Sequence, residues 1–535
     1  MPVCEAMVAL VLADHYLRQR ALDPSRVPEL GVQHQSCLKP RAAATADCCC
    51  LSRLWSIILV SMITRTAVKP GRPWRFVDRR DELTFLERRW ETGQPQCLVV
   101  YGKRRVGKTE LLKQFIRGKP SVYFVADRRP ERELLTELGQ RIGQHLGDDY
   151  IARRGFEGWL DLFAMLASRL TRPTALIIDE FPYLVEANPA IPSLFQKAWD
   201  EHLRNVPVCL VLCGSSIAMM EAHTLSHGSP LFGRRTGDLQ VAPLDYFAAR
   251  GFFPQVGAER FVELFSILGG MPMYLLQFDP SKKLKQNVRD QILSRGAFLH
   301  REVEFLVREE LREPRNYMAI LRAIAEGQHK FSEISARSGL EKNVLTRYLQ
   351  VLAELRLIRR EVPITEGSPF RSKKGLFRID DPFVAFWFQH VHPFASELEL
   401  GNTAPSLRRM DEVFDGLAAA TYESVARTII RREPDVPFPL STVGRWWNRQ
   451  AEIDVIGLDP AAAPGILFGE AKWSRKPVGS DVYRRLREKA ELVDWGGPSR
   501  REVFALFSRS GFTRNMFEVA AADGVLLYHV DRRVR

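Results

Sequence analysis

Residues 97–109 read Cys97-Leu98-Val99-Val100-Tyr101-Gly102-Lys103-Arg104-Arg105-Val106-Gly107-Lys108-Thr109. The opening run is apolar enough for a buried strand, and Gly102 to Thr109 match the pattern G-x-x-x-x-G-K-[ST] in full. Lys108–Arg117 then reads as a helix. Between a strand and a helix, the two glycines let backbone N–H groups wrap phosphate oxygens, and the helix N-terminus adds partial positive charge beneath them. Lys108 is expected to reach the β- and γ-phosphates of ATP, and the Thr109 hydroxyl to ligate Mg²⁺. Lys103, Arg104, Arg105 and Val106 complete the loop. A plain glycine-containing turn is the competing reading, and the flanking strand and helix weigh against it.

Working outward, Ala175–Ile178 is a second apolar run, and Leu176-Ile177-Ile178-Asp179-Glu180 ends it on two carboxylates. A buried strand ending in Asp179 sets an oxygen ligand beside the metal, and Glu180 is placed to polarise the attacking water. A third run, Val208–Cys213, ends in Gly214-Ser215-Ser216. Ligands of open α/β sheets bind at that edge, so Ser215 or Ser216 is a candidate sensor of the γ-phosphate, or part of a simple turn. Arg234 and Arg235 lie in the loop Gly233-Arg234-Arg235-Thr236-Gly237. One of them is a candidate arginine finger, within the chain or across a homo-oligomer contact; a solvated basic loop is the equal alternative. Strands alternating with helices predict an α/β layered domain.

The whole chain has 535 residues, enough for roughly three or four domains. Its 45% hydrophobic and 26% charged residues exclude a disordered chain. The excess of 77 Lys and Arg over 64 Asp and Glu gives +13, compatible with an anionic partner such as nucleic acid or with Arg-rich codon bias. Of eight cysteines, Cys4, Cys37, Cys48, Cys49 and Cys50 crowd the N-terminus without metal-ligand spacing or a disulfide framework. A reduced, cytoplasmic protein is expected. The apolar stretch Leu54–Ile63 is shorter than the roughly 20 residues that span a bilayer, so no membrane partner is expected. Residues 1–68 lack periodicity and receive no function; a true start at Met62 would explain them.

The predicted organisation places an ATPase core at 69–254 and a helical region at 255–315, broken at Gly269-Gly270-Met271-Pro272. Three short helices and a basic hairpin follow at 316–380, then a linker at 381–410 and an α/β domain at 411–535. Asp78 to Trp90 reads as a helix with Leu83, Leu86 and Trp90 on one face.

The segment Phe76-Val77-Asp78-Arg79-Arg80-Asp81-Glu82-Leu83 resembles the archaeal and bacterial ATPases of the AAA+-related STAND/Orc branch. So do the phosphate loop, Asp179-Glu180, the stretch Leu231–Gly237 and Gly270-Met271-Pro272. The resemblance covers roughly residues 75–315. It implies an AAA+-like P-loop fold with a helical lid, from which Pro272 contacts the nucleotide.

Asn316–Glu326, Phe331–Ser338 and Lys342–Leu355 have the lengths of a helix-turn-helix, with Gly339 at the corner. Leu345, Leu349, Leu352 and Leu355 form the apolar face of the third helix; Asn343, Arg347, Gln350 and Glu354 share the other. Asn, Arg and Gln can hydrogen-bond base edges. Arg359-Arg360 and Arg371-Ser372-Lys373-Lys374 frame a candidate wing. The pattern looks like a winged helix, with DNA contact or internal packing as its two uses.

Near the C-terminus, Glu452–Ile456 and Gly465–Trp473 read as strands carrying Asp454, and Glu470 with Lys472 two residues apart on one face. With Glu423 on a preceding helix and Arg484, Arg485, Arg487 and Lys489 on a following one, Asp481–Val493, the order resembles the PD-(D/E)XK restriction-endonuclease-like core. That resemblance implies Mg²⁺ on Asp454 and Glu470, with Lys472 orienting water and Glu423 an outer ligand at best. Pro434-Asp435 lies in a loop and is not that motif. The expected function is an ATP-hydrolysing switch coupling nucleotide state to DNA through a winged helix and a nuclease-like domain. The rival is a signalling ATPase whose last two domains only bind partners.

Overall fold

Alternation decides the first sheet. Leu98, Val100, Ile177, Val211 and Cys213 join one buried cluster, while Cys97, Val99, Leu176, Ile178, Leu210 and Leu212 join another. Successive residues of a strand point to opposite faces, so a sheet covered on both sides needs continuous apolar runs. The strands are β1 (Gln96–Tyr101), β2 (Ser121–Val125), β3 (Thr174–Asp179), β4 (Val208–Gly214) and β5 (Gly237–Gln240). They pair in the order β2-β3-β4-β1-β5, all parallel. Parallel pairing brings the C-terminal ends of β1, β3 and β4 to one edge, where the phosphate loop, Asp179-Glu180 and Ser215 emerge.

The computed structural model describes residues 76–535 apart from Arg312 and Ala462. The N-terminal extension, with its five cysteines, Leu54–Ile63 and the start at Met62, lies outside the described residues. The described residues belong to one compact unit. Its remaining cysteines, Cys97, Cys209 and Cys213, are buried free thiols. Among the described residues no helix is long and apolar enough to cross a membrane.

The first helix is Arg80–Glu91, two residues later than expected, because Asp78 and Arg79 take left-handed conformations with φ of 59° and 69°. The helical region beyond β5 turns at Gly270, where a Cβ would stand 1.8 Å from the Leu244 carbonyl oxygen. Only glycine lets the chain pass so close.

Helices Pro314–Ala325, Phe331–Ser338 and Lys342–Glu354 precede a hairpin of β6 (Ile358–Glu361) and β7 (Leu376–Ile379). Gly339, at φ 71°, caps the second helix and makes the tight corner.

The linker expected at 381–410 is a correction. Those residues carry a helix, Pro382–His390, whose Phe383, Phe386, Trp387 and Phe388 are buried. Asp381 caps it, accepting from the Phe383 and Val384 amides at 2.9 and 3.4 Å, and Pro382 takes the first turn, where no amide donor is needed. A helix apolar all round has no polar face to reveal its period, which hid it in the sequence.

The helix Ala404–Arg432 then runs 29 residues to the C-terminal sheet. That sheet has β8 (Thr442–Trp447), β9 (Glu452–Asp459), β10 (Gly465–Lys472), β11 (Arg501–Ser508), β12 (Leu526–His529) and β13 (Arg532–Arg533). They lie side by side in reverse sequence order. β8, β9 and β10 form an antiparallel meander; β11 runs parallel to β10, reached through the helix Ser480–Glu491. Val455, Leu467 and Phe507 extend the same buried cluster that lines one face of the first sheet.

Candidate functional site

The phosphate loop stands where its glycines demand. Gly107 caps the helix Lys108–Phe115 at φ 97°, and a Cβ on Gly102 would lie 2.3 Å from the Val241 carbonyl oxygen. The Lys108 ammonium donates to the Gly102 and Lys103 carbonyls at 2.9 and 3.0 Å, bent back over the loop it is expected to serve. The Thr109 hydroxyl donates to Asp179 Oδ2 at 2.9 Å, and the Tyr123 hydroxyl to the same oxygen at 2.6 Å. Hydroxyl and carboxylate oxygens are the hard donors Mg²⁺ prefers, so Thr109 and Asp179 fit that ion.

Glu180 follows in a left-handed conformation, φ 54°, which swings its side chain across the sheet edge. Its Oε2 accepts from the Ser215 hydroxyl at 2.7 Å and the Ser215 amide at 3.3 Å. Ser215 therefore positions the carboxylate. Ser215 also lines the cavity beside the loop.

Loop, Glu180 and Ser215 line a cavity of about 280 Å³ whose far wall is Pro272, Met273, Leu276 and Phe252. A polar side and an apolar side together are the division that phosphate groups and a flat apolar ring require. Arg79 escaped notice in the sequence. It is buried and donates to the Val106 and Ala242 carbonyls at 2.8 Å each, bracing the loop from beneath. Nothing in a run of charged residues marks which one turns inward.

Arg235 is not brought to this cavity. It pairs with Asp238 at 3.4 Å and stacks on Phe232, just before β5 begins opposite Leu98. Arg235 is not among the residues that line the cavity. Arg234 is bound to Asp200 through two nitrogens.

Three loop side chains reach beyond the ATPase sheet. Arg104 pairs with Glu309 and Arg105 with Glu302, both on the helix Glu302–Glu310. Lys103 faces the buried Asp381 at 3.9 Å, and burial pushes that carboxyl up. Leu355 and Leu357, which follow the third helix of the helix-turn-helix, share a small crevice with Lys103, Arg104 and Ser215.

On that third helix Asn343, Arg347, Gln350 and Glu354 are exposed, as the spacing predicts, with Gln350 donating to Glu354 at 2.9 Å. The hairpin differs from expectation. Arg359 turns inward to Glu361 and Asp380, and Arg360 holds the Pro369 and Ser372 carbonyls. Arg360, Arg371, Lys373 and Lys374 are all exposed.

In the C-terminal sheet, Asp454 and Glu470 sit on neighbouring strands, one step beyond the Gly469–Val455 pair. Asp454 Oδ2 accepts from the Ala471 amide at 3.0 Å. Burial, then the charges of Glu423 and Glu470, push the Asp454 carboxyl up to about 7. Lys472 reaches Glu470 at 2.7 Å, so the two do share a face, and Lys489 donates to both Glu470 oxygens at 3.0 Å. Two ammonium groups thus already engage Glu470. Among the described residues no group of three or more His, Cys, Asp and Glu is placed to hold a metal ion.

Residues 76–278 match the family described as an ATPase domain predominantly from Archaea, and 316–362 match the IclR helix-turn-helix domain. Residues 387–486 match a family of archaeal and bacterial proteins of unknown function. The uncharacterized protein MJECL04 of Methanocaldococcus jannaschii is 34% identical over 427 residues, 78% of this chain and 92% of that protein. The uncharacterized protein MJ0424 of the same organism is 36% identical over 85 residues, 16% of this chain and 82% of its own. Among solved structures, a Walker-type ATPase of Pyrococcus abyssi aligns at TM-score 0.45 and 23% identity, covering 59% of this chain and 97% of that one. The ORC2 protein of Aeropyrum pernix aligns at TM-score 0.40 and 14% identity, covering 62% and 97%. With its archaeal-type ATPase domain and a relative matched over nearly its full length, this chain belongs to the family of MJECL04 and is a nucleotide-binding P-loop ATPase that carries a winged helix-turn-helix.

Proposed function

We propose that this ATPase is a Mg²⁺-dependent switch whose nucleotide state sets how its winged helix meets DNA. One observation carries the coupling: the loop residues Lys103, Arg104 and Arg105 face Asp381, Glu309 and Glu302, respectively, on segments flanking the winged helix. A triphosphate arriving at the loop competes for the same guanidinium and ammonium groups. It therefore changes the tie between loop and helices by an electrostatic exchange. Mg²⁺ would be held by Thr109 and Asp179, where it neutralises phosphate charge; Glu180 then orients the attacking water, and Lys108 holds the phosphates. The proposed DNA face is the exposed side of Lys342–Glu354 together with the basic hairpin tip.

The reversal Arg347→Glu with Arg371→Glu tests that face. DNA affinity should fall about tenfold or more, and the slope of log K against log salt should shrink by about two as two phosphate contacts are lost. A titration unchanged in both respects would return the helix-turn-helix to internal packing and favour the signalling reading.

For the C-terminal sheet, the order helix, antiparallel meander, helix, parallel strand supports a nuclease-like fold. The donor set argues against cleavage, since Lys472 and Lys489 neutralise Glu470 and only Asp454 and the half-buried Glu423 stand beside it. We read it as a binding module. Labelled single- and double-stranded DNA incubated with Mg²⁺ or Mn²⁺, with and without ATP, should stay intact. Products that vanish in Asp454→Ala would instead assign a nuclease.

A further inference from the structure

Among the described residues, the arginines that line the nucleotide cavity are Arg79, Arg104 and Arg105. Two of them are firmly engaged. Arg79 is taken up by the Val106 and Ala242 carbonyls. Arg105 pairs with the buried Glu302 and lies over the Phe298 ring, 4.5 Å from its centre. Arg104 is held more lightly. Its carboxylate partner, Glu309, is exposed, and its Nη2 donates to the Tyr183 hydroxyl at 2.7 Å. An exposed ion pair contributes little to holding a side chain, and a neutral hydroxyl can be given up without stranding a charge.

Tyr183 fixes where that guanidinium stands. It belongs to the short helix Phe181–Ala187, which begins directly after Glu180, and its amide donates to the Glu180 carbonyl at 3.0 Å. Arg104 is thereby kept on the same side of the sheet edge as the carboxylate assigned to the attacking water. Burial pulls the Arg104 pKa down, and Glu309, then Tyr183 and Glu180, more than restore it, so the group stays charged. Hydrolysis develops negative charge at this place. The water oxygen bonds to the γ-phosphorus while the bond to the β–γ bridging oxygen breaks, its electron pair leaving with ADP; the water proton passes to Glu180 and on to solvent. Charge gathers on the γ-oxygens and the bridging oxygen, and a guanidinium that meets it there lowers the barrier.

We propose that Arg104 is a catalytic residue of this ATPase, meeting the γ-phosphate in the transition state, and that Glu309 withholds it until the helix Glu302–Glu310 shifts. The assignment rests on ATP hydrolysis at the phosphate loop and adds the group that sets its rate. That helix is placed to respond to the winged helix. Its Leu306 and Glu310 share with Arg104 the crevice that Leu355 and Leu357 line, and it ends just ahead of Pro314–Ala325, the first helix of the helix-turn-helix.

The test uses the full chain without DNA and measures two things: phosphate release in a single turnover, and binding of ADP with and without aluminium fluoride. Arg104→Gln should slow release by about 10³-fold, the low end for an arginine that meets this charge. It should bind ADP within about twofold of wild type. Aluminium fluoride mimics the phosphoryl group in transit, and the variant should lose at least about tenfold of the affinity this mimic adds in wild type. Glu309→Gln should speed release about two- to fivefold, the scale of an exposed ion pair, and that gain should vanish when Arg104→Gln is added. Should Arg104→Gln fold poorly, Arg104→Lys, which keeps the charge but not the planar fork, carries the same expectation. The proposal is overturned if a folded Arg104 variant releases phosphate at the wild-type rate, or loses ADP and ADP with aluminium fluoride equally. It is equally overturned if Glu309→Gln is no faster than wild type. Glu180→Gln, run alongside, tells two failures apart. Slow release there, with wild-type release in Arg104→Gln, overturns this assignment alone; a wild type that releases no phosphate overturns hydrolysis at the loop with it.

Discussion

Glu180→Gln is expected to retain ATP while its hydrolysis slows by about 10²–10⁴, the range for removing a general base. The side chain hangs from the end of β3, one residue past the Asp179 carboxylate, and a left-handed backbone turns it across the sheet edge. There the Ser215 hydroxyl and amide hold one oxygen. Glutamine has the same length and keeps an oxygen for those donors, so the loop, the cavity and Ser215 should stay as they are. What it loses is the negative charge that draws a proton from water. The two effects are separable in one experiment: nucleotide affinity by equilibrium titration, then phosphate release in a single turnover. Release at the wild-type rate would remove Glu180 from the role and send the search for a base elsewhere on the cavity wall. A large loss of affinity would mean that the carboxylate supports the loop rather than the chemistry.

The nucleotide site was legible because its parts are local. Gly102 to Thr109 is one unbroken stretch, Asp179-Glu180 is the end of an apolar run, and strand alternation fixes both at the same sheet edge. What the sequence hid are pairings between distant segments. Arg104 meets a carboxylate 205 positions away, and nothing at either position distinguishes that pair from dozens of exposed charges. The same holds for Arg79, one of several charged residues before the first helix, which reaches the Val106 and Ala242 carbonyls. For Arg235 the sequence shows a basic loop, but only the parallel register of β5 against β1 says which end of the sheet that loop occupies. Glu470 and Lys472 were read correctly as neighbours on one face, since period two guarantees it. Lys489, which changes the charge of that pair, comes from another element and left no mark in the strand.

Lys108→Ala should weaken ATP binding by about 10- to 100-fold, because it removes the one ammonium group placed to meet the β- and γ-phosphates. In the structure that ammonium is held by the Gly102 and Lys103 carbonyls, inside the loop and 5% exposed, so the loop's own oxygens already aim it inward. Alanine leaves those carbonyls to water, and Arg104 and Arg105, which start from Glu309 and Glu302, do not occupy the place inside the loop that the Lys108 ammonium holds. The substitution should also separate the two halves of the proposed switch. If nucleotide acts by drawing Lys103, Arg104 and Arg105 off their carboxylate partners, then at an ATP concentration that fills the wild-type loop but not the variant's, the variant's DNA affinity should no longer respond to ATP. Its affinity in the absence of nucleotide should match wild type, since Lys108 touches none of those ion pairs. Fluorescence titration with an ATP analogue measures the first effect, and DNA titrations with and without ATP measure the second. Affinity for the analogue within about twofold of wild type would contradict the assignment of Lys108, being far less than a lost phosphate contact should cost. A DNA titration that still shifts with ATP, in a variant that does not bind it at the loop, would place the responsive nucleotide at another site.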